Sequence, residues 1–314
     1  MSLSITVPVA APARAPHAAA EEAARFALPG GFFDGGGAAH TEVLLAPLTG
    51  EDEFYVAAAG AHACRAEVVT RLLSRCVLTP STQASPGRDF VSELAIGQRD
   101  FLALKLRELT FGSRVDCVLR CPAEGCGRPM DLALDTGELD ISAHGAAGRF
   151  FTAPFEEGAS DSPTVEFRLP NGADQEALAG LFARAPERAV NALLARCLRR
   201  VGEHLELGED EVASLSPAAR ERIDALMKQL SPAVECEVEA RCPECGTQFE
   251  TIIDVVGHFL RELVAGLRHL EREVHFLAWH YHWSERDILS MTRGRRRRYV
   301  ALVQEEVDRL NGVW

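Results

Sequence analysis

Short segments of this chain recur about 120 residues further on in the same order, and that repetition restricts the possible folds more than any other feature. Leu72-Leu73-Ser74-Arg75-Cys76 is matched by Leu193-Leu194-Ala195-Arg196-Cys197. Val115-Asp116-Cys117, followed by Arg120-Cys121-Pro122, is matched by Val234-Glu235-Cys236, followed by Arg241-Cys242-Pro243. Cys126 and Cys245 complete the two patterns at nearly the same offset. One such match could be chance. Several at one spacing and in one order are the mark of a duplicated folding unit.

The segments between the landmarks suggest what the unit is. A helical stretch opens each half (Asp52 to Leu78 and Asp174 to Val201), and a second helix follows (Gly97 to Leu109 and Pro217 to Leu230). Each half then alternates apolar and polar residues with period two. Val115, Cys117 and Leu119 do so against Asp116 and Arg120, with Leu132 and Leu134 on the return strand. In the second half Val234, Cys236 and Val238 alternate with Glu235, Glu237 and Glu239, and a return strand runs from Phe249 to Val255. Such alternation predicts β-hairpins with one apolar and one charged face.

The expected fold class is therefore α+β: internally duplicated helix–helix–β-hairpin units with zinc-ribbon-like Cys knuckles, followed by a helical C-terminal extension. Residues 1–38, rich in Ala, Pro and Gly, read as a disordered arm. A helical turn near Glu21 to Phe26 is compatible with the sequence, and Leu28-Pro29-Gly30-Gly31 reads as a turn before a first strand near Glu42 to Leu45. The first repeat spans 39–153, a polar linker 154–163, and the second repeat 164–257. From 258 to 314 the chain reads as helical: Leu260, Leu263, Leu267, Leu270, Val274, Leu277 and Tyr281 recur at helical spacing. Ser284 looks like the cap of a short helix, and Tyr299, Val303, Val307 and Leu310 mark a last one.

The knuckles carry the chemistry. Cys121-Pro-Ala-Glu-Gly-Cys126-Gly and Cys242-Pro-Glu-Cys245-Gly each place two thiols on a tight turn, which proline and glycine favour. Two thiolates make half a tetrahedral shell, and two knuckles make a whole one. Cys121, Cys126, Cys242 and Cys245 are thus the candidate ligands of one structural Zn2+. A thioredoxin-like redox motif would open a helix in a βαβ context, which this pattern lacks. The remaining five of the nine cysteines (Cys64, Cys76, Cys117, Cys197 and Cys236) lie in apolar stretches and are expected in or near the core.

Composition narrows the function classes. The formal net charge of −13 repels phosphate backbones, so nucleic-acid binding is not expected. No run of about 18 uncharged apolar residues is long enough to span a membrane, and no signal-peptide pattern opens the chain, which predicts a cytoplasmic protein. Gly-rich phosphate loops, HExxH and nucleophile elbows are missing, so no enzyme is expected. The C-terminal part concentrates Trp279, His282 and Trp283 beside Arg295, Arg296, Arg297 and Arg298. Aromatic anchors and cations in the first turn of a helix, where they oppose its dipole, make these the candidate partner-binding residues. His275, His280 and His282 follow no known ligand spacing.

Four stretches together carry a resemblance: Leu48-Thr49-Gly50-Glu51-Asp52-Glu53, Leu109-Thr110-Phe111-Gly112-Ser113-Arg114-Val115, the Cys-Pro knuckles, and Tyr281-His282-Trp283-Ser284-Glu285 with its Arg-rich helix. Over most of residues 28 to 310 the chain resembles the T-even-type bacteriophage base plate protein family, in the versions found with phage-tail-like contractile injection systems. Its Tyr-His-Trp-Ser-Glu stretch is also similar to the His-Trp segment of small tail assembly chaperones. The resemblance implies a structural component or assembly factor of the base plate or hub. Other tail and base plate proteins would be its partners, in a hetero-oligomeric, phage-tail-like particle. The alternative that the knuckles alone suggest is a zinc-ribbon nucleic-acid-binding adaptor.

Overall fold

The computed structural model describes residues 21–59, 64–138, 148–154, 164–205, 207–234 and 236–312. The chain begins with β1 (Ala24–Phe33) and β2 (Ala39–Leu45), an antiparallel pair that a short third strand, β3 (Val77–Leu78), extends on the β2 side. Four helices accompany this sheet: α1 (Gly50–Ala59), α2 (Arg65–Cys76), α3 (Arg88–Glu93) and α4 (Ile96–Phe111). A hairpin of β4 (Arg114–Arg120) and β5 (Pro129–Asp135) follows.

A second group has the four-stranded order β6-β7-β8-β9, from β6 (Phe151–Pro154), β7 (Thr164–Phe167), β8 (Leu198–Val201) and β9 (His204–Leu205), all antiparallel. It packs with α5 (Gly172–Arg184), α6 (Pro186–Cys197), α7 (Glu209–Ser214) and α8 (Pro217–Leu230). The hairpin β10 (Glu237–Arg241) and β11 (Gln248–Ile252) precedes α9 (Val255–Tyr281), α10 (Glu285–Leu289) and α11 (Arg293–Leu310).

Three larger apolar clusters, and a small one around Ala46 and Leu78, hold these elements. The largest joins β1, β2, α1, α2 and α4 to Val256, Phe259 and Leu263 of α9. The next joins Val165 and Phe167 of β7 to α6, α7 and α8. A third lies between the hairpins, where Leu104, Cys236, Ile253 and Val255 meet Cys117, Leu132, Leu134 and Val238.

Several expectations need correction. Residues 24–33, assigned to the arm, form a strand because Leu28 and Phe32 are buried in the first core. The Pro29-Gly30-Gly31 turn survives inside it as a register shift between Ala27 and Phe32, with Gly30 and Gly31 both in the left-handed region. The stretch 52–78 is two helices ending in β3. The stretch 174–201 is two helices ending in β8, because Leu198 is buried and Leu198–Val201 find a partner in β7. Most of the linker 154–163, and the arm before Glu21, lie outside the described residues, but Pro154 belongs to β6 and pairs with Thr164.

A buried carboxylate organises the first helix of each group. Asp52 accepts from the Thr49 amide at 2.9 Å and the Thr49 hydroxyl at 2.7 Å, and it bonds the Arg75 guanidinium. Asp174 accepts from the Asn171 amide at 3.0 Å and is gripped by Arg168 at 2.6 Å and Arg196 at 2.7 Å. Burial alone would raise the Asp174 pKa, but the bonds from Arg168 and Arg196 outweigh it and hold that carboxyl below the usual range. Arg75 and Arg196 directly precede the buried Cys76 and Cys197, so the recurring Arg-Cys dipeptides mark the same device twice.

The two groups touch where α4 and α5 begin. Ile96 donates to the Pro170 carbonyl at 3.0 Å, and Gly172 to the Leu94 carbonyl at 3.3 Å. Gly97 lies so close to Pro232 that a Cβ there would overlap the Pro232 carbonyl, backbone against backbone. With no flexible side chain to yield, Gly97→Ala is expected to cost about 3 kcal/mol. That would appear as a drop in thermal midpoint of roughly 6–12 °C in a melting experiment.

Candidate metal centre

The two hairpins meet through their inner, apolar faces, and their tips carry the thiols. Alternation along β4 puts Cys117 inward at the base, and Cys236, directly before β10, is buried beside it in the third cluster. At the first tip, Cys121 donates its amide to the Arg128 carbonyl at 3.0 Å and Cys126 to the Ala123 carbonyl at 3.0 Å. At the second, Cys242 donates to the Thr247 carbonyl at 2.9 Å and Gly246 to the Cys242 carbonyl at 2.9 Å. Gly127 and Gly246, each just after the second cysteine of its knuckle, have φ of 56° and 76°, a backbone shape that glycine adopts without strain.

All four sulfurs lie within 4.8 Å of one another. Cys121 Sγ is 3.6 Å from Cys245 Sγ, and Cys126 Sγ is 3.8 Å from Cys242 Sγ, so each close pair joins one hairpin to the other. In a tetrahedron with metal–sulfur bonds of about 2.3 Å, neighbouring sulfurs sit about 3.8 Å apart. The observed separations match that edge and are far too long for disulfides. Cys121 and Cys242 are buried, Cys126 is half-buried and Cys245 is exposed. The centre is thus at the surface on one side only.

Electrostatics inside the cluster point the same way. Hydrogen bonds from the Thr247 hydroxyl and amide favour the Cys245 thiolate and bring that thiol down to about 6. A bond from the Ala123 amide favours the Cys121 thiolate, but burial and the three neighbouring sulfurs outweigh it and push that thiol up to about 12. Four thiolates crowded together repel unless a cation lies among them. The arrangement can therefore hold one soft cation in a closed four-sulfur shell, with no ligand position left for water or substrate.

The structure places the other candidate residues differently. Of the five cysteines assigned to the core, Cys76, Cys197 and Cys236 are buried, and Cys64 and Cys117 are half-buried. Trp283 stacks on Tyr281 with ring centroids 4.4 Å apart and meets Tyr299 edge-on at 4.9 Å, pinning the start of α10 to α11. His282 ends α9 in the left-handed conformation and is exposed. Trp279 keeps 73% of its surface in water.

Arg295, Arg297 and Arg298 are exposed, but Arg296 is not part of a surface run. It is fully buried, with its guanidinium 2.5 Å from Glu53 and 3.1 Å from Glu273. Arg293 reaches the same Glu53 at 3.0 Å. The acidic groups that offset these cations come from α1 and α9 of the same chain. A signal for this existed in the sequence: Glu273 stands on the buried stripe of α9, between Leu270 and Leu277, where an acid needs a partner.

Among the described residues the four cysteines form the one cluster of ligand-type side chains suited to a metal, and no helix is long and apolar enough to cross a membrane. No curated protein and no solved structure is significantly similar to the chain. The profile of one family, described as T4 bacteriophage base plate protein, matches residues 39–261, a span that holds both hairpins, all four thiols and the first turns of α9. By that match, over more than half its length, the chain belongs to the T4 bacteriophage base plate protein family.

Proposed function

We propose that the protein is a non-enzymatic structural component or assembly factor of the base plate of a phage tail or phage-tail-like contractile injection system, clamped internally by one Zn2+. The family match carries the assembly role. The spacing of the four sulfurs supports the clamp: an all-thiolate tetrahedral set suits zinc, and its closed shell suits a structural rather than a catalytic ion.

In this reading the chain is a duplicated unit, with a first repeat near 39–153, a second near 164–257 and a helical extension after 258. The twin Asp–Arg–Cys arrangements at Asp52 and Asp174 support the duplication. The ion joins the copies at their tips and fixes how they sit together. Other tail and base plate proteins are the partners. Trp279, His282, Arg295, Arg297 and Arg298 are offered to them from the surface of the extension, with Trp283 holding the local shape. Deleting the gene from a producing strain is expected to abolish assembled contractile particles in electron micrographs. Recovery of intact, contractile particles from the deletion strain would overturn the assembly role.

A further inference from the structure

The helix α9 is 27 residues long, and its buried residues (Phe259, Leu263, Leu270, Glu273 and Leu277) occupy one side. The opposite side carries Arg261, Ala265, Arg268, Arg272, His275 and Trp279, every one of them exposed. Their spacing alternates four and three residues, the seam by which one helix packs along another. At 1.5 Å per residue the seam is about 27 Å long.

Its chemistry is one-sided. Arg268 and Arg272 stand one helical turn apart, where like charges repel, and neither has a carboxylate partner among the described residues. Arg261 faces the charge of Asp254, which the Arg65 guanidinium already holds at 2.5 Å and 2.6 Å. Of the acids on the helix, Glu262 and Glu273 are spent on Arg107 and Arg296, and the exposed Glu271 stands at the edge of the seam, three residues beyond Arg268. Beside the seam, Arg297 of α11 and His269 share Glu273 from its outer side. At the C-terminal end Trp279 leans on His275 and forms a hollow with Ala278 and His282. In a chain of net charge −13, three arginines along one helix face ending in an exposed indole are a local reversal of the surface.

We propose that this face of α9 is a docking seam for an acidic amphipathic helix of a protein partner, with glutamates or aspartates opposite Arg261, Arg268 and Arg272 and an apolar side chain seated against Trp279. The heptad-like spacing selects a helix as occupant. The apolar end and the acidic remainder of the chain select a protein over a polyphosphate backbone. The proposal rests on the reading of the chain as part of an assembly and identifies the surface it uses.

The test uses the full chain and a labelled synthetic four-heptad helical peptide with glutamates along one face and a leucine at one end. A lysine-for-glutamate version of the peptide and a short DNA duplex serve as competing probes. Fluorescence anisotropy is expected to show binding of the acidic peptide that weakens as salt rises. Arg268→Glu/Arg272→Glu should reduce affinity about tenfold or more, and Trp279→Ala about fivefold. Arg184→Glu, an exposed arginine of α5, should leave it unchanged. All four side chains are exposed, so the melting curves of these variants should overlay the parent. Equal binding of the lysine peptide, an unchanged affinity in the charge-reversed variant, or tighter binding of the duplex would each overturn the docking seam. Failure here leaves the particle-assembly experiment, which tests the broader role, unaffected.

Discussion

Replacing Cys242 with serine is expected to reduce bound zinc from one ion per chain to near none, measured by elemental analysis of the purified protein. Cys242 is buried and sits 3.8 Å from Cys126 of the other hairpin, so its loss opens the shell on the protein side. A hydroxyl there is a poor substitute for a thiolate, which is the soft ligand that zinc prefers. The variant also loses a tie between positions 116 residues apart in the chain, the separation of Cys126 and Cys242.

Structural zinc contributes on the order of 10–16 kcal/mol in small finger peptides. Here the two larger apolar cores fold around other elements, so the loss should fall on the hairpins. Amides of β4, β5, β10 and β11 are expected to exchange about a thousandfold faster, as a local loss of about 4 kcal/mol requires, while α2 and α6 keep most of their protection. Cys236→Ser is the control. That residue is buried at the base of the clamp but is outside the four-sulfur cluster, so the variant should lose packing and keep its ion. A full complement of zinc in Cys242→Ser would sink the clamp.

The second large effect is expected at Arg296. Its guanidinium is fully buried between Glu53 of α1 and Glu273 of α9, and it also donates to the Met291 carbonyl at 2.9 Å. Arg296→Met keeps much of the volume but removes the cation between two buried carboxylates, leaving Glu53 to Arg293 and Glu273 to its outer contacts with His269 and Arg297. Removing one partner of a buried ion pair costs about 3–5 kcal/mol, mostly for the charges left behind. A fall in thermal midpoint of roughly 6–20 °C should follow.

Converting both acids to glutamine in the same background is expected to recover a large part of the loss, because neutral amides can be buried at lower cost. A triple variant as unstable as Arg296→Met would show that volume, not charge, sets the effect. The same contact also positions the C-terminal helices: Gly50 donates to Met291 at 3.1 Å, and Thr49 bridges to Thr292. Loosening Arg296 should therefore free α10 and α11 before it unfolds α4.

Much of the metal centre could be read without coordinates. Knuckle geometry is local: a thiol pair two to four residues apart, a proline, a left-handed glycine and a period-two strand on either side all lie within one short window. The long helix was equally plain from its apolar stripe at 3.6 residues, but its start was not. Asp254 and Val255, read as the end of the return strand, lie beyond β11, and Asp254 caps the helix through the Gly257 amide at 2.9 Å. What escaped were elements whose reason for existing is elsewhere in the chain. β1 is a strand because β2 pairs with it and Leu28 and Phe32 reach the first core, although its own Pro-Gly-Gly centre reads as a turn. β6 to β9 are two to four residues long, too short for any periodicity, and exist only as a sheet.

The amino-acid sequence by itself determined which side chains have metal-binding chemistry and which faces of the helices and hairpins are apolar, because both follow from residue type and near-neighbour spacing. Only the tertiary structure decided that sulfurs from two hairpins converge to within a single coordination shell, and that one arginine of a basic run is buried while its neighbours face water. Those outcomes depend on groups more than a hundred residues apart, Cys121 with Cys245 and Arg296 with Glu53, whose proximity is a property of distance in space and cannot be read from near-neighbour spacing along the chain.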